Sequence, residues 1–336
     1  MAGKVHLKIA VAEAPHTSAV RNGSIPIEGV DAEIITVEPQ IAAFRRMVRD
    51  VEFDVCELAP TTYIIAKAYG SPFTALPIFV LRRFHHSGLL VRPDANIRHP
   101  KDLEGKKVGV RAWSVTTGAW TRAVLIDEFG LDISKVTWYV DDEEHVRALK
   151  LPPYVVHTAP GQSLADMMAS GELQAGFHGN AGVGRTGAPT GGWTKVEAHY
   201  PDLFPNAEEL EADWYRRTGI YPMHGTIVVK DSVLKEHPWV AQSLFKAFSQ
   251  AKNEWLAKFD PATAKTASDK KYAAYQKIVG RDVLPYGMAA NIKTIEALAS
   301  TAIRKISRGC ASAAVAVPRV TRCRPSGRFF RLRQIT

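Results

Sequence analysis

The sequence predicts an α/β protein built as two lobes with a central cleft between them. Short apolar runs alternate with amphipathic segments along most of the 336 residues, the pattern of strands and helices in largely parallel sheets. Two polar stretches, 92–110 and 216–225, have the composition of crossings between lobes. The chain would therefore leave one lobe, build the other and return. Because small molecules bind preferentially in such clefts, we expect the functional site there.

The individual elements follow from the same alternation. Eight apolar runs are predicted as strands, at 5–11, 53–56, 74–79, 88–92, 107–111, 136–140, 174–178 and 226–230. Amphipathic periodicity predicts helices at 41–50, 116–130, 163–173 and 237–259, and the Gly-rich stretch 179–193 is predicted to be a loop. These elements divide the chain into lobe I (1–92 with 222–300), lobe II (93–221) and an atypical basic tail (301–336).

Composition and charge indicate a globular protein with a small-molecule partner. Hydrophobic residues make up 46% of the chain, and no apolar stretch approaches the roughly 20 residues that span a bilayer. The net charge of +9 arises in the tail, which has nine basic and no acidic side chains, so we expect no nucleic-acid partner. The start lacks a secretory signal, and the three cysteines have no metal-binding spacing. We expect a cytoplasmic protein without disulfides or a structural metal, and a homo-oligomer is compatible with the sequence.

Two strand ends carry polar side chains suited to an anion or a proton. Glu57 follows the strand 53–56, at the carboxyl edge where open α/β sheets bind their ligands. Ser114, Thr116 and Thr117 surround the start of the helix 116–130, whose unpaired N–H groups attract carboxylate or phosphate. A solvated glutamate and an ordinary helix cap are the alternatives.

Basic and titratable side chains precede the strand 88–92 in the stretch RRFHHS. Side chains of an extended chain alternate between faces, so about two of these residues can enter one cleft. We select Arg82 as a carboxylate anchor and the pair His86–Ser87 for proton transfer or binding. His224 lies at the second crossing, and His178 ends the strand 174–178. The histidines have no metal-binding spacing, and no P-loop, nucleophile elbow or dinucleotide fingerprint occurs.

The motifs together identify a family. FDVCELAPTTYIIAKA, LPIFVLRRFHHSGLLV, WYRRTGIYPMHGTIVVK and LPYGMAANIKT resemble the bacterial 4,5-dihydroxyphthalate decarboxylases, a branch of the type 2 periplasmic-binding-protein fold. The resemblance covers residues 5 to about 300 in order. The tail departs from the family, because relatives continue past EALAS with acidic residues.

The resemblance implies an activity and a substrate class. It implies that 4,5-dihydroxyphthalate, an aromatic dicarboxylate, loses one carboxylate as CO2 and leaves protocatechuate without a cofactor. Chemistry alone then suggests His86 or His224 as the proton donor, Glu57 in support, and Arg82, Ser87, Ser114, Thr116, Thr117 and His178 for binding. Two alternatives stay open: an intracellular protein that binds or senses an aromatic carboxylate without chemistry, and a biosynthetic enzyme on the same fold.

Overall fold

The computed structural model describes residues 3–187 and 193–301, so the predicted basic tail, with Cys310 and Cys323, lies outside the described residues. The strands are β1 Val5–Ala10, β2 Val30–Ile34, β3 Val55–Leu58, β4 Phe73–Arg82, β5 Leu89–Val91, β6 Lys107–Gly109, β7 Thr137–Val140, β8 Val155–His157, β9 Ala175–Phe177, β10 Arg185–Thr186, β11 Thr194–Lys195 and β12 Met223–Lys230. The helices are α1 Ser18–Arg21, α2 Gln40–Asp50, α3 Pro60–Ala68, α4 Thr116–Phe129, α5 Leu164–Ser170, α6 Ala207–Thr218, α7 Asp231–Glu236, α8 Val240–Lys258, α9 Ala267–Val279 and α10 Ile292–Thr301.

Two five-stranded sheets form the framework. The first has the order β2–β1–β3–β12–β4, in which β1 runs parallel to both neighbours and β12 runs antiparallel to both of its own. The second has the order β5–β9–β6–β7–β8, parallel except for β5. The α/β architecture predicted from the alternation is therefore confirmed.

All eight predicted strands are present, with ends shifted by one to three residues. The sequence patterns missed β2 and β8, which lie at sheet edges and are largely exposed or half-buried, so they lack a continuous apolar run. The predicted loop 179–193 contains the strand β10, which pairs with β11 in a short hairpin. The helix predicted at 237–259 begins at Val240, so Pro238 precedes α8.

The chain passes between the sheets earlier than the sequence suggested. β4 ends at Arg82 in the first sheet, and β5 pairs with β9 in the second, so the first passage is residues 83–88 rather than 92–110. β5 thus lies in the second sheet, although the predicted division at residue 92 assigned it to lobe I. The return occurs at residues 219–222, between α6 and β12 and within the predicted crossing 216–225. The residue bounds of the two lobes remain a prediction.

Each sheet buries apolar side chains against helices. Leu7, Ile9 and Val229 pack with Leu244 and Phe248 of α8 on one face of the first sheet. A second cluster covers its other face beneath α2 and α3, and a third surrounds Trp113 and Trp138 in the second sheet. These rigid layers fix the strand ends at which polar side chains can be positioned.

An ion-pair contact joins α2 and the segment after β6 to the segment after β7. Arg45 donates to Asp142 Oδ2 at 2.6 Å, and Arg111 donates to the same oxygen at 2.9 Å. Arg49 donates to Glu143 Oε2 at 2.8 Å. We refer below to these side chains as the ion-pair contact: Arg45, Arg49, Arg111, Asp142 and Glu143.

Candidate functional site

Buried and half-buried polar side chains converge where the first passage and β12 meet β3 and α9. They come from six separate segments of the chain and influence one another's pKa values, which places them within electrostatic range. We call this group the polar cluster; its members are His16, Glu57, Arg83, His85, His224, Lys271, Tyr272 and Tyr286.

Two histidines stack at the centre of the cluster. The rings of His85 and His224 lie 5.3 Å apart and within 28° of parallel. Neither ring nitrogen of His85, nor Nδ1 of His224, has a hydrogen-bond partner among the described residues. Burial lowers the pKa of both side chains well below the usual range, and the charge of Arg83 lowers both further. Both imidazoles are therefore neutral, and an unpaired buried polar atom typically costs about 1–3 kcal/mol unless a ligand satisfies it.

Glu57 supplies a carboxyl group that holds its proton near neutral pH. It lies on β3, is 5% exposed, and accepts a hydrogen bond from the Ala12 N–H to Oε2 at 3.1 Å. Burial raises its pKa to about 7. Its Oε1 lies against β12 at Gly225, where a Cβ atom would come within 2.8 Å. The absence of a side chain at 225 thus leaves room for the carboxyl group one residue from His224.

Two cations of the cluster lack acidic partners. Arg83 and Lys271 have no carboxylate oxygen within 4.0 Å in the described part of the chain. Burial lowers the pKa of both, that of Lys271 to about 8, and repulsion from Arg83 contributes to the value for Lys271. Lys271 Nζ lies 4.2 Å from the centre of the Tyr272 ring. The more distant Glu211 raises the pKa of Arg83, but neither cation forms an ion pair among the described residues, which favours an anionic ligand.

The far wall of the cluster is aromatic. His16 Nε2 donates a hydrogen bond to the Val80 carbonyl, 2.7 Å away, so Nε2 carries the proton and Nδ1 is left unpartnered among the described residues. Its ring lies 5.4 Å from Trp255 and 6.1 Å from Tyr272. Tyr286 Oη is buried and unpartnered within the same described part of the chain. Aromatic faces beside polar atoms suit a flat, polar ring.

The structure brings together two of the residues selected from the sequence, Glu57 and His224. Arg82, by contrast, is fully buried and donates to the carbonyls of Tyr221 at 2.7 Å and Pro285 at 3.0 Å, and to Asn291 Oδ1. Its guanidinium group also stacks on the rings of Phe79 and Tyr221. Arg82 therefore holds the β4–β12 region together and is not available to an anion.

His86, Ser87 and His178 lie apart from the cluster. The His86 ring packs against Trp214 at 5.5 Å and Phe204 at 6.3 Å, and burial lowers its pKa to about 4. Ser87 and His178 are exposed. The charge of His86 contributes to the lowered pKa of His85, but none of the three side chains has a hydrogen bond or ring contact with His224 among the described residues.

The start of α4 already contains a carboxylate from the chain itself. Glu144 accepts hydrogen bonds from the N–H groups of Trp113 at 2.6 Å and Ser114 at 3.1 Å, and from the Ser114 hydroxyl. Thr116 shares a hydrogen bond of 2.5 Å with Thr61 of α3. Thr117 is buried in the first turn of the helix. The start of α4 therefore does bind an anion as predicted from Ser114, Thr116 and Thr117, but that anion is the carboxylate of Glu144.

Sequence reasoning missed six members of the cluster: Arg83, His85, His16, Lys271, Tyr272 and Tyr286. A signal for the first two was present, since Phe84 is the apolar residue of RRFHHS and its alternate neighbours share its core-facing side. That alternation turns Arg83 and His85 to the opposite side, toward the cleft. His16 and Lys271 follow no local pattern. Among the described residues, no three His, Cys, Asp or Glu side chains are grouped to hold a metal ion, and no helix is long and apolar enough to cross a membrane.

Comparison with known proteins agrees with the fold and decides the family. The chain is 34% identical over 221 residues to a 4,5-dihydroxyphthalate decarboxylase of Pseudomonas putida, covering 63% of this chain and 82% of that protein. The chain belongs to the 4,5-dihydroxyphthalate decarboxylase family. A second member, from Comamonas testosteroni, is 29% identical over 305 residues, which are 87% of this chain and 90% of the relative.

The chain is also similar to the periplasmic binding proteins. Residues 29–188 match the family of phosphonate periplasmic substrate-binding proteins of ABC transporters. The crystal structure of protein AF1704 from Archaeoglobus fulgidus is similar over 88% of this chain and 96% of its own, with a TM-score of 0.50 and 13% identity. The expected two-lobed fold is confirmed.

Proposed function

We propose that this protein is a carboxy-lyase that converts 4,5-dihydroxyphthalate to protocatechuate and CO2 in the breakdown of phthalate. Family membership supports the reaction, since both relatives named above are 4,5-dihydroxyphthalate decarboxylases. The polar cluster supports the site, because it combines unpaired cations, a carboxyl group that holds a proton, and unpartnered histidines. The unpartnered ring nitrogens of His85 and His224 are the observation that carries the assignment.

The chemistry requires a proton at a ring carbon before CO2 departs. Direct loss of CO2 from an arene would leave an electron pair in a ring sp² orbital, which is a poor carbanion. In 4,5-dihydroxyphthalate each carboxylate has a hydroxyl group para to it. That hydroxyl gives up its proton as the carbon bearing the departing carboxylate gains one. The bond to the carboxylate then breaks, its electrons restore the aromatic ring, and the phenolate recovers its proton.

Glu57 is the proton donor in this proposal. Its pKa of about 7 leaves the carboxyl group substantially protonated at neutral pH, whereas burial keeps both imidazoles of the cluster neutral. A donor whose pKa lies near the working pH is the most effective general acid. Each turnover consumes one proton, which Glu57 recovers from solvent.

His224 accepts and returns the phenolic proton, and Arg83 anchors a carboxylate. The unpartnered Nδ1 of His224 is free to receive a hydrogen bond from the phenol, and the stacked ring of His85 fixes its orientation. The guanidinium group of Arg83 can grip a carboxylate with two parallel hydrogen bonds. His86 is left out of this arrangement because its ring lies against Trp214 and Phe204.

The test is incubation with 4,5-dihydroxyphthalate while CO2 and protocatechuate are measured. The wild type should release both in equal amounts, and in D2O the product should carry one deuterium at the carbon that lost CO2. His224→Asn should lower kcat by about 10²-fold or more, the contribution typical of a positioned acid or base. His86→Asn is the matched control and should keep kcat within a few-fold. Saturable binding without product would contradict the proposal and favour a binding or sensing protein.

A cytoplasmic location is also part of the proposal. It is checked by fractionating native cells, with the activity expected in the cytoplasmic fraction. Sedimentation of the purified protein measures whether it is a homo-oligomer.

A further inference from the structure

Lys271 is a second cation of the polar cluster and has no role in the steps described above. It lies in α9, and its Nζ is 4.2 Å from the centre of the Tyr272 ring. The side chain is partly buried, and no carboxylate lies within 4.0 Å among the described residues. A face-on tyrosine stabilises a cation weakly, by roughly 0.5–2 kcal/mol, and leaves its N–H donors available.

Lys271 and Arg83 reach the cluster from different directions. Arg83 comes from the passage between the sheets and Lys271 from a helix nearly 190 positions later in the sequence. Their like charges repel, which contributes to the lowered pKa of Lys271. One carboxylate gripped by Arg83 would leave Lys271 unpaired, whereas two carboxylates on adjacent ring carbons offer an oxygen pair to each cation. Two unpaired cations therefore match a dianion better than a monoanion.

We propose that Lys271 binds the second carboxylate of a benzene-1,2-dicarboxylate and thereby selects dicarboxylates over monocarboxylates. The inference rests on the proposed function, because it assumes that the polar cluster is the substrate site. Lys271 acts in binding and does not exchange the proton that replaces CO2.

The experiment compares two ligands that cannot react, phthalate and benzoate. Neither carries a hydroxyl group para to a carboxylate, so calorimetric titration at pH 7 measures binding alone. Wild type, Lys271→Met and Lys271→Arg are compared, together with Lys270→Met. Lys270 is exposed on the same helix, so its replacement removes one positive charge outside the cluster and serves as the matched control.

Wild type should bind phthalate more tightly than benzoate. Lys271→Met should weaken phthalate binding by about tenfold, equivalent to about 1.4 kcal/mol, and change benzoate binding by less than about threefold. Lys271→Arg should retain most of the preference, and Lys270→Met should bind as wild type. Thermal melting checks folding: removing an unpaired cation should not lower Tm.

Other outcomes overturn the inference. Equal losses of affinity for phthalate and benzoate in Lys271→Met would make Lys271 a general anion anchor. Unchanged phthalate affinity in that variant, or no phthalate binding by wild type, would show that Lys271 is not part of the binding site. If Lys271→Met fails to fold, Lys271→Arg must still keep the preference. Turnover of 4,5-dihydroxyphthalate is scored separately. If the wild type turns over 4,5-dihydroxyphthalate but Lys271→Met keeps the preference for phthalate over benzoate, only the role of Lys271 is rejected. If Lys271→Met loses that preference but the wild type shows no turnover, only the decarboxylase activity is rejected.

Discussion

The polar cluster and the ion-pair contact both contain charged side chains shielded from solvent, but only those of the ion-pair contact are paired with an opposite charge. In the ion-pair contact, Asp142 receives two arginine donors at 2.6 and 2.9 Å. In the polar cluster, Arg83 and Lys271 form no ion pair within 4.0 Å, and both ring nitrogens of His85 and Nδ1 of His224 lack partners among the described residues. Burial alone therefore does not mark a functional site. A paired charge stabilises the fold, whereas an unpaired one is retained at a cost that a ligand can offset.

The largest effect on stability is expected in the ion-pair contact. Asp142→Ala would leave Arg45 and Arg111 buried without their shared partner, and breaking a buried pair typically costs about 3–5 kcal/mol of the free energy of unfolding. Urea unfolding measures the loss. Glu143→Ala is the control, because its carboxylate is exposed and should cost no more than about 1 kcal/mol. Equal losses in the two variants would contradict the comparison.

Arg82 and Arg83 are adjacent in the sequence and allow a structural arginine to be compared with a ligand-binding one. Arg83→Met should weaken phthalate binding tenfold or more, in line with about 1.5–3 kcal/mol for a hydrogen bond to a charged group, without lowering stability. Arg82→Met should lower Tm markedly, because it removes the donor to the Tyr221 carbonyl and to Asn291 Oδ1 and one of the two donors to the Pro285 carbonyl. Titration and thermal melting on both variants separate the two roles. Reversed effects would place the anion at Arg82.

The raised pKa of Glu57 predicts two dependences on pH. As an acid it must be protonated, so kcat/KM should fall as the pH rises through about 7. The folded state binds the proton more tightly than the unfolded state, whose glutamate titrates near 4.5. The stabilisation is therefore fully present below pH 4.5 and is lost as the pH rises through about 7. In Glu57→Gln, the free energy of unfolding should depend less on pH over this range. An unchanged dependence would show that the Glu57 carboxyl does not have a raised pKa.

Gly225→Ala gives the smallest expected effect. The added Cβ would lie 2.8 Å from Glu57 Oε1 and 3.1 Å from the Leu81 Cβ, so the carboxyl group must move. We expect a several-fold fall in kcat with a small fall in Tm, measured on the same preparation. A wild-type kcat would show that the carboxyl position is not critical.

The sequence predicts the fold better than the site, for physical reasons. Buried central strands such as β3 and β12 leave continuous apolar runs, so their order and approximate ends are visible in the sequence. The edge strand β2, with its half-exposed VDAEI pattern, leaves no such run. The class of site was also predictable, because Glu57 and His224 stand at strand ends where ligands bind.

The remaining site residues depend on orientation and on distant contacts. The choice between Arg82 and Arg83, or His85 and His86, depends on which face of one extended segment turns inward, and Phe84 decides it by packing 5.1 Å from Tyr221. Glu144 fills the start of α4 from a loop nearly 30 residues away, which no local pattern reveals. Lys271 joins the cluster only through the packing of α9.

The central claim, that the polar cluster performs the decarboxylation, is tested most directly by Glu57→Gln. The variant keeps the size of the side chain and removes its transferable proton. Turnover of 4,5-dihydroxyphthalate and the Kd for phthalate are measured on the same preparation. We predict that kcat falls by about 10²-fold or more while phthalate binds within about threefold of wild type. A variant that releases CO2 at the wild-type rate would contradict the account.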